Sequence, residues 1–336
     1  MPMLEQHEVA AYLLRRRLIS PRSIVSGRLR IADASSRNRN FRVSGGPGES
    51  YLLKQGLAAD SAHTLANEVA LYRRLAGGPA SLAACVPRLH GFDAGRGILV
   101  LEWIAGGEDL DRRRCSPSLA AALGRVLARL HGVAPDDEQL RRDPPWVLAL
   151  HRPPLEALRY MSAASAELVK AIQADERLQD GFDELREGWH TEALVHRDVK
   201  WANCIAHAPG GAGRRTAIKL VDWEMAGWGD PAFDVGSAFS DHLAGGLDGR
   251  PQTSGRPAIA ALWHAYVRGR RLDDECASQL LLRSVRFAGA RLVQSAYEHT
   301  QEAVLMSERV EASLRVSADM LGRPREAARE LLGLRA

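Results

Sequence analysis

Over residues 4–18 the apolar side chains Val9, Ala10, Leu13 and Leu14 recur at helical spacing, and Pro21 closes the segment. The period then changes. Ile24-Val25, Leu29-Arg30-Ile31, Phe41-Arg42-Val43 and Tyr51-Leu52-Leu53 are short β-prone pieces, parted by turn-type clusters at 35–39 and 45–48. Together they predict an antiparallel meander. A helix is predicted over 62–75 from Leu65, Val69, Leu71, Tyr72 and Leu75, with Gly77-Gly78-Pro79 to end it. Residues 88–92 and the run Ile98-Leu99-Val100-Leu101 predict two further strands before Gly106-Gly107 breaks the chain.

Beyond Gly107 the pattern is mainly helical. Leu123, Leu127 and Leu130 mark an amphipathic segment over 119–131, residues 154–189 read as further helices, and the region from Pro257 onward carries helical spacing at Leu262, Tyr266, Leu280-Leu281-Leu282 and Leu292. The expected class is α+β: a small antiparallel β-rich N-lobe at 1–103 and a large, mainly helical C-lobe at 104–336. No internal repeat or low-complexity stretch interrupts this plan.

Composition narrows the classes. At 336 residues and 46% hydrophobic content, the chain has enough apolar material for one large or two ordinary cores. The net charge of +4, from 45 basic and 41 acidic side chains, is small and scattered, which excludes nucleic acid as the expected partner. The runs at Arg15-Arg16-Arg17 and Arg112-Arg113-Arg114 read as solvated faces. Cys85, Cys115, Cys204 and Cys276 lie far apart and form no CxxC, as in a reducing compartment. With no leader-like segment and no apolar run long enough for a bilayer, a cytoplasmic protein without membrane contact is expected.

The most informative stretch is His196-Arg197-Asp198-Val199-Lys200-Trp201-Ala202-Asn203. A turn-rich segment with Gly210, Gly211 and Gly213 follows, and then Ala217-Ile218-Lys219-Leu220-Val221 leads into Asp222-Trp223-Glu224. This reads as a loop, a hairpin and a strand ending in a carboxylate. Phosphoryl transfer needs a hydroxyl held in line with a γ-phosphate, metal ions on the phosphates and a group to take the hydroxyl proton. Asp198 offers the proton acceptor. Asn203 and Asp222 offer the hard oxygen ligands that magnesium prefers.

Residues 196–203 match the protein-kinase catalytic loop H-R-D-x-K-x-x-N. Asp222-Trp223-Glu224 and the later Gly229-Asp230-Pro231-Ala232-Phe233-Asp234-Val235-Gly236 resemble the aminoglycoside phosphotransferase and choline kinase-like family. The resemblance covers nearly the whole chain in element order, with its sharp motifs confined to 196–236. It implies a bilobal protein kinase-like fold and ATP and Mg2+ as cofactors. It also implies roles: Asp198 as catalytic base or hydroxyl-orienting group, Asn203 and Asp222 on magnesium, and Glu224 assisting near the metal. Asp234 would brace the catalytic loop from behind through backbone hydrogen bonds, with His196 as a further structural support.

A kinase also needs a cation on the phosphates from the third strand of the small lobe, and Lys54 ends the Tyr51-Leu52-Leu53 run. Glu68, within the helix predicted over 62–75, is its expected partner. Taken singly, Lys54 reads equally as a snorkelling strand-end lysine and Glu68 as a solvated helix position. The turn holding Ser35, Ser36 and Asn38 stands where a phosphate-covering loop belongs, although no glycine lies between Gly27 and Gly45 to allow close backbone approach. An exposed polar hairpin tip explains it as well. Glu102, Trp103 and Ile104 fall at the adenine-binding hinge.

The acceptor is less legible. From Gly229 onward there are 14 acidic and 14 basic residues, a balance that argues against a highly cationic acceptor, although Asp241, Asp273 or Glu275 leave a local acidic pocket open. Arg197 stands where small-molecule members of the resembled family usually have glycine. Lys200 stands two residues after Asp198, as in kinases acting on serine or threonine, where it steadies the γ-phosphate. The expected function is an ATP-dependent O-phosphotransferase whose hydroxyl acceptor is of the aminoglycoside or amino-alcohol type. Two alternatives stay open. One is a serine/threonine kinase acting on a precursor peptide in ribosomal peptide maturation, with a partner enzyme. The other is an inactive nucleotide-binding pseudokinase.

Overall fold

A computed structural model describes residues 3–35, 38–56, 59–113, 115–135, 140–208, 216–247 and 255–336, with side chains left undescribed at 59–64, 113 and 246–247. In chain order the elements begin with helices α1 (Val9–Arg15) and α2 (Pro21–Val25), then strands β1 (Arg30–Asp33), β2 (Arg39–Ser44) and β3 (Ser50–Gln55). Helices α3 (Ala59–Gly77) and α4 (Ala80–Ala83) lead to β4 (Leu89–Asp93), β5 (Ile98–Glu102) and β6 (Glu108–Asp109). Next come α5 (Leu110–Arg113), α6 (Pro117–Leu130), α7 (Leu155–Leu158), α8 (Ala163–Gln173), α9 (Glu176–Glu187) and β7 (Ala193–Val195). Strands β8 (Cys204–His207), β9 (Ala217–Leu220) and β10 (Gly227–Gly229) precede α10 (Pro231–Leu247), α11 (Gly255–Arg270), α12 (Asp274–Thr300), α13 (Glu308–Gly322) and α14 (Pro324–Ala327).

The chain divides into two compact units. The first holds Met1–Glu108 together with Ile205–Ala226; the second holds Asp109–Cys204 and Gly227–Ala336.

In the first unit β1-β2-β3-β5-β4 form an antiparallel sheet, with Lys54 opposite Asn40 on one side and Leu99 on the other. Phe41, Val43, Tyr51, Leu53, Ile98 and Val100 bury their alternating side chains against Leu4, Val9 and Leu13. Helix α3 turns Leu65, Val69, Tyr72 and Leu75 inward, as its spacing predicts. One expectation fails here. Ile24-Val25 belong to α2, not to a strand. Ser20 caps that helix by accepting from the Ser23 N–H, and Pro21 sits at the first helical position, so local capping overrides β-branched propensity.

In the second unit, Leu119, Leu123, Leu127 and Leu130 of α6 are buried, and α6 lies against α11. A core of Leu168, Phe182, Phe233, Phe287 and Val293 joins α8, α9, α10 and α12. Strand β7, which leads into the 196–203 loop, pairs antiparallel with β10. Among the described residues the four cysteines form no disulfide, and no helix is long and apolar enough to cross a membrane.

Candidate active site

The first unit assembles a charged group around Lys54. This side chain leaves β3 on its buried face, where an ammonium without a counter-charge would be costly. Its Nζ donates to Glu68 Oε2 at 2.9 Å and to Asp222 Oδ1 at 2.5 Å, and Glu224 Oε2 lies 4.0 Å away. Glu68 is fully buried on the apolar stripe of α3, so it is not a solvated helix position. Burial works against the Lys54 ammonium, yet Glu68 and Asp222 outweigh it and raise its pKa; burial likewise raises Glu68, with Lys54 pulling the other way.

Asp222 lies two residues beyond β9, in the left-handed region at φ 67°, and opens the short 3-10 turn Trp223–Met225. Trp223 is fully buried and anchors that turn by donating from Nε1 to the Leu220 carbonyl. One ammonium therefore faces three carboxylates, two of which, Asp222 and Glu224, stay partly exposed. Surplus negative charge on hard, accessible oxygens fits a magnesium ion that keeps phosphate and water ligands. Among the described residues no group of three or more His, Cys, Asp or Glu side chains forms a self-sufficient metal cage.

The second unit holds the 196–203 loop. Asp234 is buried and accepts from the His196 N–H at 2.7 Å and the Arg197 N–H at 2.9 Å. Its Oδ2 also lies 3.1 Å from His131 Nε2, and His131 Nδ1 lies 2.9 Å from the Tyr266 hydroxyl. Arg197 adopts φ 67°, a region that imposes roughly 1–3 kcal/mol on a side-chain-bearing residue. The two Asp234 bonds, the stacking of its guanidinium 5.3 Å from the Trp189 ring centroid, and its contact with the Asp143 carbonyl hold it there. The His196 ring accepts from the Asp198 N–H at 3.3 Å.

Both oxygens of Asp198 are occupied. Oδ2 accepts from Lys200 Nζ at 2.7 Å and from Asn203 Nδ2 at 3.0 Å; Oδ1 accepts from Arg291 Nη2 at 2.6 Å. Burial would raise the Asp198 pKa, but Arg291 and Lys200 outweigh it and hold it below the usual carboxylate range. Asn203 also donates from Nδ2 to the Asp198 carbonyl at 2.9 Å, which leaves its carbonyl oxygen as the donor atom for a cation. Trp201 is fixed by its N–H to Asp241 Oδ2 at 2.5 Å and by edge contact with His242. Burial pushes the Asp241 carboxyl up to about 7 and the His242 imidazole down to about 4.

A model of the phosphotransferase enzyme family matches residues 28–275. The chain belongs to that family. No curated protein sequence matches it. Among solved structures, the phosphotransferase is similar to an ethanolamine kinase of Plasmodium vivax, at 15% identity over 93% of this chain and 88% of that one, with a TM-score of 0.63. It is similar to a choline kinase of Cryptosporidium parvum at 10% identity over 97% and 98%, with a TM-score of 0.64. A spectinomycin phosphotransferase in complex with ADP and spectinomycin matches at 13% identity over 88% and 92%, with a TM-score of 0.50. The expected family, the kinase-like α+β fold and phosphotransferase activity are borne out.

The remaining sequence-derived positions of the phosphotransferase are less uniform. Ser35 is used inside its own turn, its hydroxyl donating to the Asn40 carbonyl at 3.3 Å and accepting from the Asn40 N–H at 3.1 Å. Asn38 is partly buried beside it, and Ser36 lies outside the described residues. At the hinge, the Glu102 N–H goes to the Arg88 carbonyl and the Trp103 N–H to the Ser50 carbonyl, so neither is left to read an adenine edge. The Glu102 carboxylate pairs with Lys219 at 2.6 Å, and the Trp103 ring lies under the Arg42 guanidinium at 4.7 Å. Ile104 is buried nearby. Arg291 escaped the sequence reading. Its only signal there is a lone charge inside the apolar run Phe287-Ala288-Gly289-Ala290-Arg291-Leu292-Val293.

Proposed function

We propose that this chain is an ATP- and magnesium-dependent O-phosphotransferase that moves the γ-phosphoryl group onto a hydroxyl of a small molecule. The observation that carries the reading is the Lys54 group. A strand lysine, a fully buried helix glutamate and an aspartate 168 positions along the chain meet at hydrogen-bond distance, with negative charge in excess. That is the chemistry for gripping a metal–triphosphate complex.

Lys54 pairs with phosphate oxygens and is kept in place by Glu68. Asn203 and Asp222 would each offer an oxygen to magnesium, and Glu224 shares the Lys54 ammonium with Asp222. Bound magnesium would neutralise phosphate charge as it develops. Asp198 receives the acceptor's hydrogen bond, aligns its oxygen with the γ-phosphorus and takes the proton as the new P–O bond forms. The bond to the β-phosphate oxygen breaks, and ADP leaves with the electron pair. Because Arg291 and Lys200 keep Asp198 ionised, orientation weighs more than basicity. Lys200 steadies the transferring group. Asp234 and His196 hold the loop.

An acceptor of the amino-alcohol or aminoglycoside type is the starting point that family membership supplies. A serine or threonine in a peptide is the second reading, favoured by one observation: Lys200 lies 2.7 Å from Asp198, the pairing expected of peptide kinases. Mass spectrometry for a gain of one phosphate across amino alcohols, aminoglycosides, sugars and serine-rich peptides tests both. Asp198→Ala is expected to lower turnover by roughly 10²–10⁴-fold in a folded protein. An Asp198→Ala variant with full activity, or ADP formation undiminished by EDTA, would end the proposal.

A further inference from the structure

We propose that Asn67 is a positioning residue for magnesium binding: its side-chain amide fixes the far end of the turn that presents Asp222 and Glu224, and so sets the affinity of that turn for the metal. This inference rests on the metal-assisted reading above and adds to it a residue on α3 that acts through the backbone of the turn.

Asn67 stands directly before Glu68. Ala66 is exposed, Asn67 partly buried and Glu68 fully buried, so Asn67 lies on the edge of the inward stripe of α3. Its partner is 159 positions away: Nδ2 donates to the Ala226 carbonyl at 3.0 Å, within the same compact unit. Ala226 is fully buried and closes the 3-10 turn Trp223–Met225, its own N–H returning to the Trp223 carbonyl at 3.1 Å. A buried carbonyl at the end of a turn needs a donor from elsewhere in the fold, and the Asn67 amide supplies one.

Two side-chain bonds therefore bracket the turn. At its start Trp223 Nε1 reaches back to the Leu220 carbonyl at 2.9 Å, and at its end Asn67 reaches Ala226. Between these bonds Asp222 adopts φ 67°, a left-handed conformation that a side-chain-bearing residue keeps where its surroundings over-determine it. Because Asn67 and Glu68 are consecutive, one turn of α3 places Lys54 through Glu68 and the carboxylate turn through Asn67. The helix thus sets the separation between the cation for the phosphates and the carboxylates for the metal.

The type of bond matters. Lys54 also grips Asp222 directly, at 2.5 Å, but that ion pair must be shared once the ammonium engages phosphate oxygens. The Asn67 bond is neutral and runs to the backbone, so neither phosphate nor metal competes for it. Asp222 and Glu224, with side chains 35% and 29% exposed, then keep their places while the lysine is engaged elsewhere. Loss of the amide leaves a buried carbonyl without this donor and lets the turn spread over several conformations. Metal affinity then falls with the fraction of the turn that stays competent.

The test compares the full chain with Asn67→Leu, which keeps the bulk and removes the amide, and Asn67→Gln, which keeps a donor on a longer arm. In the metal-free proteins, hydrogen exchange read by mass spectrometry should quicken across residues 222–226 of Asn67→Leu and stay unchanged across β2 and β3. By calorimetry, ATP should bind Asn67→Leu roughly 3–10-fold more weakly than the parent with magnesium present, and equally well without it. The magnesium concentration giving half-maximal rate should rise by the same factor, with the acceptor KM unmoved and most of kcat restored at saturating magnesium. Asn67→Gln should fall between parent and Asn67→Leu. ATP binding weakened equally with and without magnesium would mark a merely structural role and overturn the inference, as would unaltered exchange across 222–226. A parent chain whose ATP binding and turnover are indifferent to magnesium counts against the metal-assisted reading itself, and the inference falls with it.

Discussion

Arg291 donates from Nη2 to Oδ1 of Asp198 at 2.6 Å across 93 positions of sequence, and so fixes the side of the carboxylate that Lys200 and Asn203 leave open. A charge-assisted hydrogen bond of this kind contributes on the order of 1.5–3 kcal/mol. Arg291→Met should therefore lower kcat by roughly 10–100-fold. Arg291→Lys should recover part of the loss, and ATP affinity should not move. Steady-state kinetics with an acceptor from the screen, alongside thermal melts, checks this. Unchanged kcat in Arg291→Met would show that Asp198 needs no such support.

Lys54 and Glu68 form a buried pair in which each neutralises the other. Lys54→Met leaves Glu68 buried without its cation and should destabilise the fold by about 3–5 kcal/mol. The double change Lys54→Met with Glu68→Leu should restore much of that stability but none of the activity. Urea unfolding of the three proteins separates these outcomes. A single variant as stable as the parent would contradict the pairing.

His242 and Asp241 are neighbours whose contributions to stability run in opposite directions with pH. The His242 folded pKa is about 4 against an ordinary 6.5, so below pH 6.5 the unfolded chain gains a proton the folded one refuses, and stability falls on acidification. The Asp241 folded pKa is about 7 against an ordinary 3.8, so its contribution falls as pH rises between those values. Relative to the parent, His242→Leu should gain stability as pH is lowered from 6.5 to 4, and Asp241→Asn should gain it as pH is raised from 4 to 7. Urea midpoints across that range give the two difference curves. Curves of the same slope would refute the assignment.

Gly236 closes the Gly-Asp-Pro segment at the point where α10 meets α12. A Cβ there would sit 2.5 Å from the Ser284 carbonyl and 2.8 Å from the Ala288 nitrogen, both backbone atoms of α12. Gly236→Ala should destabilise by roughly 1–3 kcal/mol. Because α10 carries Asp234 and α12 carries Arg291, activity should fall further than stability alone accounts for. A denaturation midpoint equal to the parent's would show that the helices part freely.

Residues 196–236 declared their chemistry in one dimension because their partners lie close by in the chain. The Asp198–Asn203 pair spans five residues, and Asp234 reaches a loop whose motif already marks it. Lys54 and Glu68 were legible by the same logic, as a strand end and an apolar helix stripe that must neutralise each other. The Ile24-Val25 segment is helical because the Ser20 cap and Pro21 that precede it outweigh its β-branching. The hinge was named by position, but which N–H groups stay unbonded depends on Arg88 and Ser50.

The sequence by itself determined the family, the β-rich start and helical remainder, and the residue types for phosphoryl transfer, since hydrophobic period and short-range spacing carry that information. Tertiary structure alone decided that residues 205–226 join the first compact unit and that Arg291 meets Asp198. The reason is physical. Those relationships arise from packing between helices and strands far apart in the chain, where burial and charge compensation choose the partner and no local pattern records the choice.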